Sequence, residues 1–292
     1  MIKGKKGIVI GIANDHSIAW GIAKQLHANG AELAITYQNN TLLKRVKPLA
    51  DKVNSDILVE CDVNNEDHLQ NMLTQIKKEF GTIDFIIHAV AYSDKNELNG
   101  RYIDTSKDNF INSLSISCYS FTRIAKIFQP IINPGGSLVT LSFHGASKVM
   151  PNYNVMGVAK AALETSVKYL SVDLGDQNIR VNAISAGPMR TLAGAAIANS
   201  RDVFNFTQLN SPLKRNVELD EIGKRRALIN FAKSFALKRP SKNEENWLLS
   251  FEWHDDLEGA RLLDDAIQQT LINTQKATKD NIDNFIKEKV IS

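Results

Sequence analysis

Six short apolar runs, each bounded by turn signals and separated by segments of helical period, constrain this chain more than any other feature. They lie at residues 7–12, 32–37, 56–60, 83–90, 137–143 and 178–184. Each run is continuously apolar instead of alternating, the pattern of a strand covered on both faces. Helical patterns fall between them, among them residues 66–80 with Leu69, Met72, Leu73 and Ile76 on one face, and a long run from Phe110 to Phe128. Strands alternating with helices predict an α/β fold with a doubly wound parallel sheet of Rossmann type. Ligands of such sheets bind at the carboxyl ends of the strands, where the strand order reverses.

The chain has 292 residues, 43% hydrophobic and 23% charged, enough apolar material for a sizeable core. A net charge of +3, with no basic run interleaved with aromatics, gives no reason to expect nucleic acid. Cys61 and Cys118 stand apart with no CxxC or Cys/His cluster, so neither a disulfide framework nor a zinc site is expected. The first residues run straight into an apolar strand, without a signal-peptide core or a membrane span, so a cytoplasmic location and no membrane partner are expected.

The carboxyl ends of the runs carry the candidate site. Gly11, Ser17 and Gly21 follow the first run and lead into Ile22-Ala23-Lys24-Gln25-Leu26, a strand, turn and helix able to receive a pyrophosphate on backbone N–H groups. The spacing is wider than G-x-G-x-x-G, and a plain turn fits equally well. Gln38 ends the second run, where an acid would favour NAD and an arginine NADP; with no arginine adjacent, the residue leans towards NADH. Asp62 follows the third run and suits either an adenine amino group or an ordinary turn. Tyr153 and Lys160, seven apart, would share one face of a helix as a proton-handling pair, the ammonium favouring ionisation of the phenol. A bare Y-x6-K match is usually coincidence. Its position after the fifth run, beside strand ends that all gather on one edge, argues for chemistry.

Residues 1–223 resemble the short-chain dehydrogenase/reductase superfamily and, within it, the type I bacterial enoyl-acyl-carrier-protein reductases. The resemblance rests on G-I-A-N-D-H-S-I-A-W-G from Gly11, C-D-V at 61–63, P-N-Y-N-V-M-G-V-A-K at 151–160, R-V-N-A-I-S-A-G-P at 180–188 and S-P-L-K-R at 211–215. It implies that Gly11, Ser17 and Ile18 cradle the cofactor pyrophosphate, with Gln38 near the adenosine ribose and Asp62 and Val63 at the adenine. Val90 would flank the nicotinamide, Lys160 would hold the ribose hydroxyls, and Met189, Arg190, Thr191, Leu192 and Ala193 would close over the cofactor. Ser93 falls on the substrate side, and residues 192–198 match a substrate lid. The implied reaction is NADH-dependent reduction of a trans-2-enoyl thioester borne on acyl carrier protein, with Tyr153 stabilising the thioester oxygen. The family's homo-oligomer is implied as well.

Two departures qualify the resemblance. Phe143 stands where the family usually carries a second tyrosine, ten residues before Tyr153. Either a transition-state donor is lost, for which about 10²–10³-fold in rate is an upper guide, or the ring fills the pocket wall and Tyr153 suffices. After Gly223 the family's last helix and strand have no counterpart. Residues 224–292 read as helical, with Leu228, Phe231 and Phe235, then Leu257, Leu263, Ile267 and Leu271, then Ile282, Phe285 and Ile286 each sharing a face. This division predicts a reductase domain over 1–223 and a tail that covers a sheet edge or serves as an interaction module. Since the missing strand helps build the family's tetramer, oligomeric state stays open. A catalytically weak relative retaining the nucleotide scaffold is the alternative to an active reductase; a ketone- or alcohol-oxidising dehydrogenase shares only the Tyr–Lys pair.

Overall fold

Parallel pairing of the first and fourth strands creates the place where a ligand can enter. In the computed structural model, residues 2–195, 197, 200–211 and 213–222 are described, all within the unit Met1–Glu245. In chain order they form β1 (Lys6–Ile10), α1 (Ile18–Ala28), β2 (Glu32–Tyr37), α2 (Asn40–Lys52), β3 (Ile57–Glu60), α3 (Glu66–Phe80), β4 (Ile83–His88) and α4 (Lys95–Leu98). There follow α5 (Lys107–Leu114), α6 (Ser120–Phe128), β5 (Ile132–Ser142), α7 (Asn154–Gly175), β6 (Arg180–Ser185), α8 (Leu192–Ala195), α9 (Ser200–Asn210) and α10 (Leu219–Ile222). The sheet order is β3-β2-β1-β4-β5-β6, parallel throughout, so the order reverses between β1 and β4. The expected doubly wound α/β sheet is present. The expectations for residues 224–292 lie outside the described residues.

Continuous apolar strands are buried on both faces because each face has its own core. Ile8 and Ile10 of β1 join Leu69, Met72 and Ile76 of α3 and Phe121 and Phe128 of α6. Val9, between them, joins Trp20, Ile22 and Ala23 of α1 on the other face. Helix ends follow their sequence signals. Asn65 caps α3 by accepting from the N–H groups of Asp67 and His68, Glu66 and Asp67 occupy the first turn, and Gly81 ends the helix at φ +71°.

Three elements differ from expectation. β5 begins five residues early, at Ile132, and contains Asn133-Pro134-Gly135-Gly136, which had read as a turn. The register slips there, Ile83 facing Ile132 but Phe85 facing Ser137, so the turn residues form a bulge. Asp84 sits in that gap and accepts from Lys5 Nζ (2.7 Å), the Lys6 N–H (2.9 Å) and Asn133 Nδ2 (3.2 Å). The long helix expected from Phe110 to Phe128 is two helices joined by a π turn over Ser115–Tyr119. Tyr153 precedes α7 as its N-cap residue instead of standing within it.

β4 ends on His88, fully buried, with Nδ1 2.9 Å from Thr140 Oγ1 and Nε2 2.8 Å from Ser120 Oγ. Burial first, and the Lys160 charge second, lower its pKa from 6.5 to about 3. The unfolded chain therefore binds this proton between pH 6.5 and 3 while the native state resists it, so stability falls as pH drops through that window. Thermal midpoints measured across that range should fall less steeply for His88→Gln than for the unaltered chain. Equal slopes would remove His88 as their cause.

Candidate active site

One cavity of about 1330 Å³ runs along the carboxyl edge of the sheet. Its volume exceeds the roughly 300–1,000 Å³ of common ligand pockets, which suits two ligands or one long one. Gly11, Ser17, Ile18, Gln38, Asp62, Val63, Val90, Ser93, Phe143, Tyr153, Lys160, Met189, Arg190, Thr191 and Leu192 all line it. The side chain of Ala193 lies outside the described residues. Of the lid expected over 192–198, Leu192–Ala195 form a short helix, while residues 196, 198 and 199 lie outside the described residues.

At the first end, β1 must approach β4 closely. Gly11 has φ +105°, and a Cβ there would lie 2.2 Å from the Ala89 carbonyl oxygen, so a side chain is excluded. Ser17 does not point its hydroxyl along the helix it precedes. The oxygen accepts instead from the N–H groups of Ala13 (3.0 Å) and Asn14 (3.1 Å), stiffening the loop. The first turn of α1 thus has neither a side-chain cap nor an acidic residue, and Ser17, Ile18 and Ala19 form part of the cavity wall. An uncapped helix start facing a cavity fits a phosphate group. Farther along, Gln38 Nε2 lies 3.3 Å from Asp62 Oδ2, while Asp62 Oδ1 accepts from the Asn64 N–H at 3.0 Å. The aspartate is a turn residue on one oxygen and faces the glutamine with the other.

At the opposite end stand Tyr153 and Lys160, 7% and 6% exposed. Lys160 Nζ donates to the Leu141 carbonyl oxygen at 2.7 Å. Four residues on, Glu164 accepts a short hydrogen bond from Ser142 Oγ, so adjacent turns of α7 grip adjacent residues of β5. Burial lowers the Lys160 pKa to about 8, with the neighbouring Cys118 and Glu164 opposing. Burial raises that of Tyr153 well above its ordinary value. This runs against the expectation that the ammonium would favour an ionised phenol: burial is the one cause of the shift, with no offsetting pull from Lys160, and the phenol is protonated at neutral pH. The Phe143 ring stands edge-on to Tyr153, 5.2 Å between centroids at 65°. On another side, a Cβ on Gly145 would meet Tyr153 Cδ1 at 2.4 Å, so the phenol fits against bare backbone.

Ser117, Asn109 and Phe204, which help shape the cavity, escaped the sequence reading. Ser117, in the π turn, accepts from the Tyr92 N–H (2.9 Å) and donates to the Tyr92 carbonyl (3.1 Å). Asn109 Oδ1 accepts from Ser93 Oγ (3.2 Å) and the Asp94 N–H (3.0 Å), so Ser93 is held by the protein as well as facing the cavity. Arg190 lies over the Phe204 ring, 4.9 Å from its centroid, joining the loop after β6 to α9. The spacing Ser113, Ser117, Ser120 on the face that also carries Phe121, Ile124 and Phe128 was the signal for the first of these. Polar residues at i, i+4 and i+7 on a buried face imply partners.

A doubly wound parallel sheet with a buried Tyr–x6–Lys pair at its carboxyl edge defines a short-chain dehydrogenase/reductase. The sequence model described as Enoyl-(Acyl carrier protein) reductase matches residues 11–230. Enoyl-[acyl-carrier-protein] reductase [NADH] 2 of Rhizobium meliloti (strain 1021) is 55% identical over 223 residues, 76% of this chain and 83% of the relative. The crystal structure of FabI from Candidatus Liberibacter asiaticus superposes with a TM-score of 0.74 at 52% identity, covering 76% of this chain and 86% of the other. The enoyl-(acyl-carrier-protein) reductase of Anaplasma phagocytophilum, solved in complex with NAD, gives 0.72 at 55% identity, covering 76% and 83%. The chain belongs to the enoyl-(acyl carrier protein) reductase family.

Gly145→Ala is expected to displace the Tyr153 ring while leaving the helix-α1 end of the cavity unchanged. A misplacement of about 1 Å can cost about 10²-fold in rate. Turnover should therefore fall steeply with nucleotide affinity retained, and unchanged turnover would show that the ring tolerates the added methyl.

Proposed function

We propose that this protein reduces the carbon–carbon double bond of trans-2-enoyl thioesters carried on acyl carrier protein, with NADH, as a step of fatty acid elongation. The observation that carries this reading is one cavity lined both by an uncapped helix start and by the buried side chains of Tyr153 and Lys160.

NADH, when bound, supplies the hydride. Gly11, Ser17 and Ile18 would hold its pyrophosphate, Gln38 its adenosine ribose, and Asp62 and Val63 its adenine. Val90 would flank the nicotinamide, and Met189, Arg190, Thr191, Leu192 and Ala193 would close the site. The Asp62 carboxylate facing Gln38 opposes the 2′-phosphate of NADPH by charge and leaves the Gln38 carbonyl free for a ribose hydroxyl. Lys160 would donate to the nicotinamide ribose hydroxyls, most strongly in its protonated form.

Reduction places the hydride from NADH on the β-carbon and a proton drawn from solvent on the α-carbon, with negative charge building on the thioester oxygen between the two. The Tyr153 hydroxyl would donate a hydrogen bond to that oxygen; because burial keeps the phenol protonated, the donor is present throughout. Phe143 adds shape but no second donor, and Ser93 would border the acyl thioester. A homo-oligomer would be the active form, with exposed apolar side chains such as Tyr119, Tyr169 and Val172 available to an interface. Sedimentation equilibrium of the full chain tests that point: a monomer at micromolar concentration would exclude it.

Consumption of NADH absorbance with a trans-2-enoyl thioester tests the reading directly. Tyr153→Phe should lose about 10²–10³-fold in kcat, the usual cost of one oxyanion donor. Phe143→Tyr should raise kcat if the second donor matters, whereas NADH binding without turnover in either form would favour the catalytically silent alternative. Lys160 adds a pH signature. Its lowered pKa predicts that kcat/KM for NADH, which reports the free enzyme, falls as pH rises through about 8. Lys160→Arg, charged throughout, should lack that descending limb.

A further inference from the structure

We infer that Asn154 is a positioning residue for Tyr153, aiming the phenol by its backbone and tying it to the facing wall of the cavity by its side chain. The inference rests on the proposed role of Tyr153. Two observations carry it. Tyr153 stands between Asn152 at φ +59° and Asn154 at φ +36°, so the chain enters and leaves the tyrosine through left-handed residues. Asparagine is one of the few residues apart from glycine that tolerates this region, and such strain persists only where the surroundings enforce it.

The enforcing contact is the Asn154 amide. Its Nδ2 lies 3.1 Å from the Leu98 carbonyl oxygen, 3.3 Å from that of Gly100 and 3.4 Å from that of Glu97. An asparagine at a helix start ordinarily accepts from its own helix. This one donates to a segment more than fifty residues away, so capping does not account for it. The segment it holds is itself cavity wall: Leu98 lines the cavity and packs in one apolar cluster with Tyr153, Val155 and Met156. Glu97 anchors the same segment from the other side, accepting from the Ser106 N–H (2.9 Å) and Asn109 Nδ2 (3.2 Å). The amide thus fixes the distance between the phenol and the wall opposite it.

Glycine and alanine separate the two halves of this role. Asn154→Gly keeps the left-handed backbone accessible and removes the amide, while Asn154→Ala removes the amide and disfavours the backbone as well. With a trans-2-enoyl thioester and NADH, kcat should fall about 10-fold for Asn154→Gly and towards about 10²-fold for Asn154→Ala, the scale of a misplaced catalytic group. NADH affinity, read by fluorescence, should stay at its starting value. Because Asn154 acts through the Tyr153 hydroxyl, the double variant Tyr153→Phe/Asn154→Gly should be no slower than Tyr153→Phe alone. Unchanged kcat in both single variants would overturn the inference. So would a double variant slower than Tyr153→Phe by the full Asn154→Gly factor, or losses of kcat that merely track lost NADH affinity and thermal midpoint. If Tyr153→Phe itself turns over at the unaltered rate, the reading of Tyr153 fails first, and that result is distinct from a failure confined to the Asn154 variants.

Discussion

The bond from Lys160 Nζ to the Leu141 carbonyl oxygen is the interaction on which the tyrosine end of the cavity depends. A buried ammonium is costly unless it is satisfied, and here α7 brings it to the carboxyl end of the sheet's fifth strand. With Glu164 gripping Ser142 one turn later, helix and strand are locked in register by two polar contacts in an otherwise apolar seam. Everything that meets the substrate end hangs from that seam. Phe143 leaves β5 immediately after it, and Tyr153 enters α7 two turns before it.

The lysine also sets limits on its neighbours. His88, fully buried near the same charge, is held neutral and bridges Thr140 to Ser120, joining the fourth and fifth strands to α6. One charge is tolerated in this layer because His88, which it would repel as an imidazolium, is held neutral, and because the neighbouring Glu164 favours the charged lysine. The hydroxyls of Ser117 and Ser120 fill the remaining polar demand within the π turn, where an extra residue widens the helix toward the loop after β4.

The sheet was legible in the sequence because continuous apolar runs have few alternatives, and the strand ends lined up the candidate cofactor residues without any contact being known. What escaped depended on three-dimensional context. Asn133-Pro134-Gly135-Gly136 carries every local mark of a turn, yet pairing with β4 and the triply satisfied Asp84 draw it into a bulged strand. The π turn left the apolar periodicity from Phe110 to Phe128 intact, so only the buried serines betrayed it. For Tyr153 even the sign of the shift was illegible. A nearby ammonium argues for a lowered pKa, and only the degree of burial, which spacing does not encode, shows that desolvation prevails.

That reversal gives Phe143 its meaning. A phenol destined to ionise would gain from a second hydroxyl beside it; a phenol kept neutral acts through one directional hydrogen bond. An edge-on phenyl ring 5.2 Å away supplies no competing acceptor and excludes water from one flank. In a less polar setting a single well-aimed donor is worth more to a developing oxyanion than it is in water. The aim then matters more than the number of donors. Bare backbone at Gly145, left-handed residues on either side of Tyr153 and the amide of Asn154 all constrain direction. With a phenylalanine at position 143, the proposed contact to the thioester oxygen rests on how rigidly one hydroxyl is pointed.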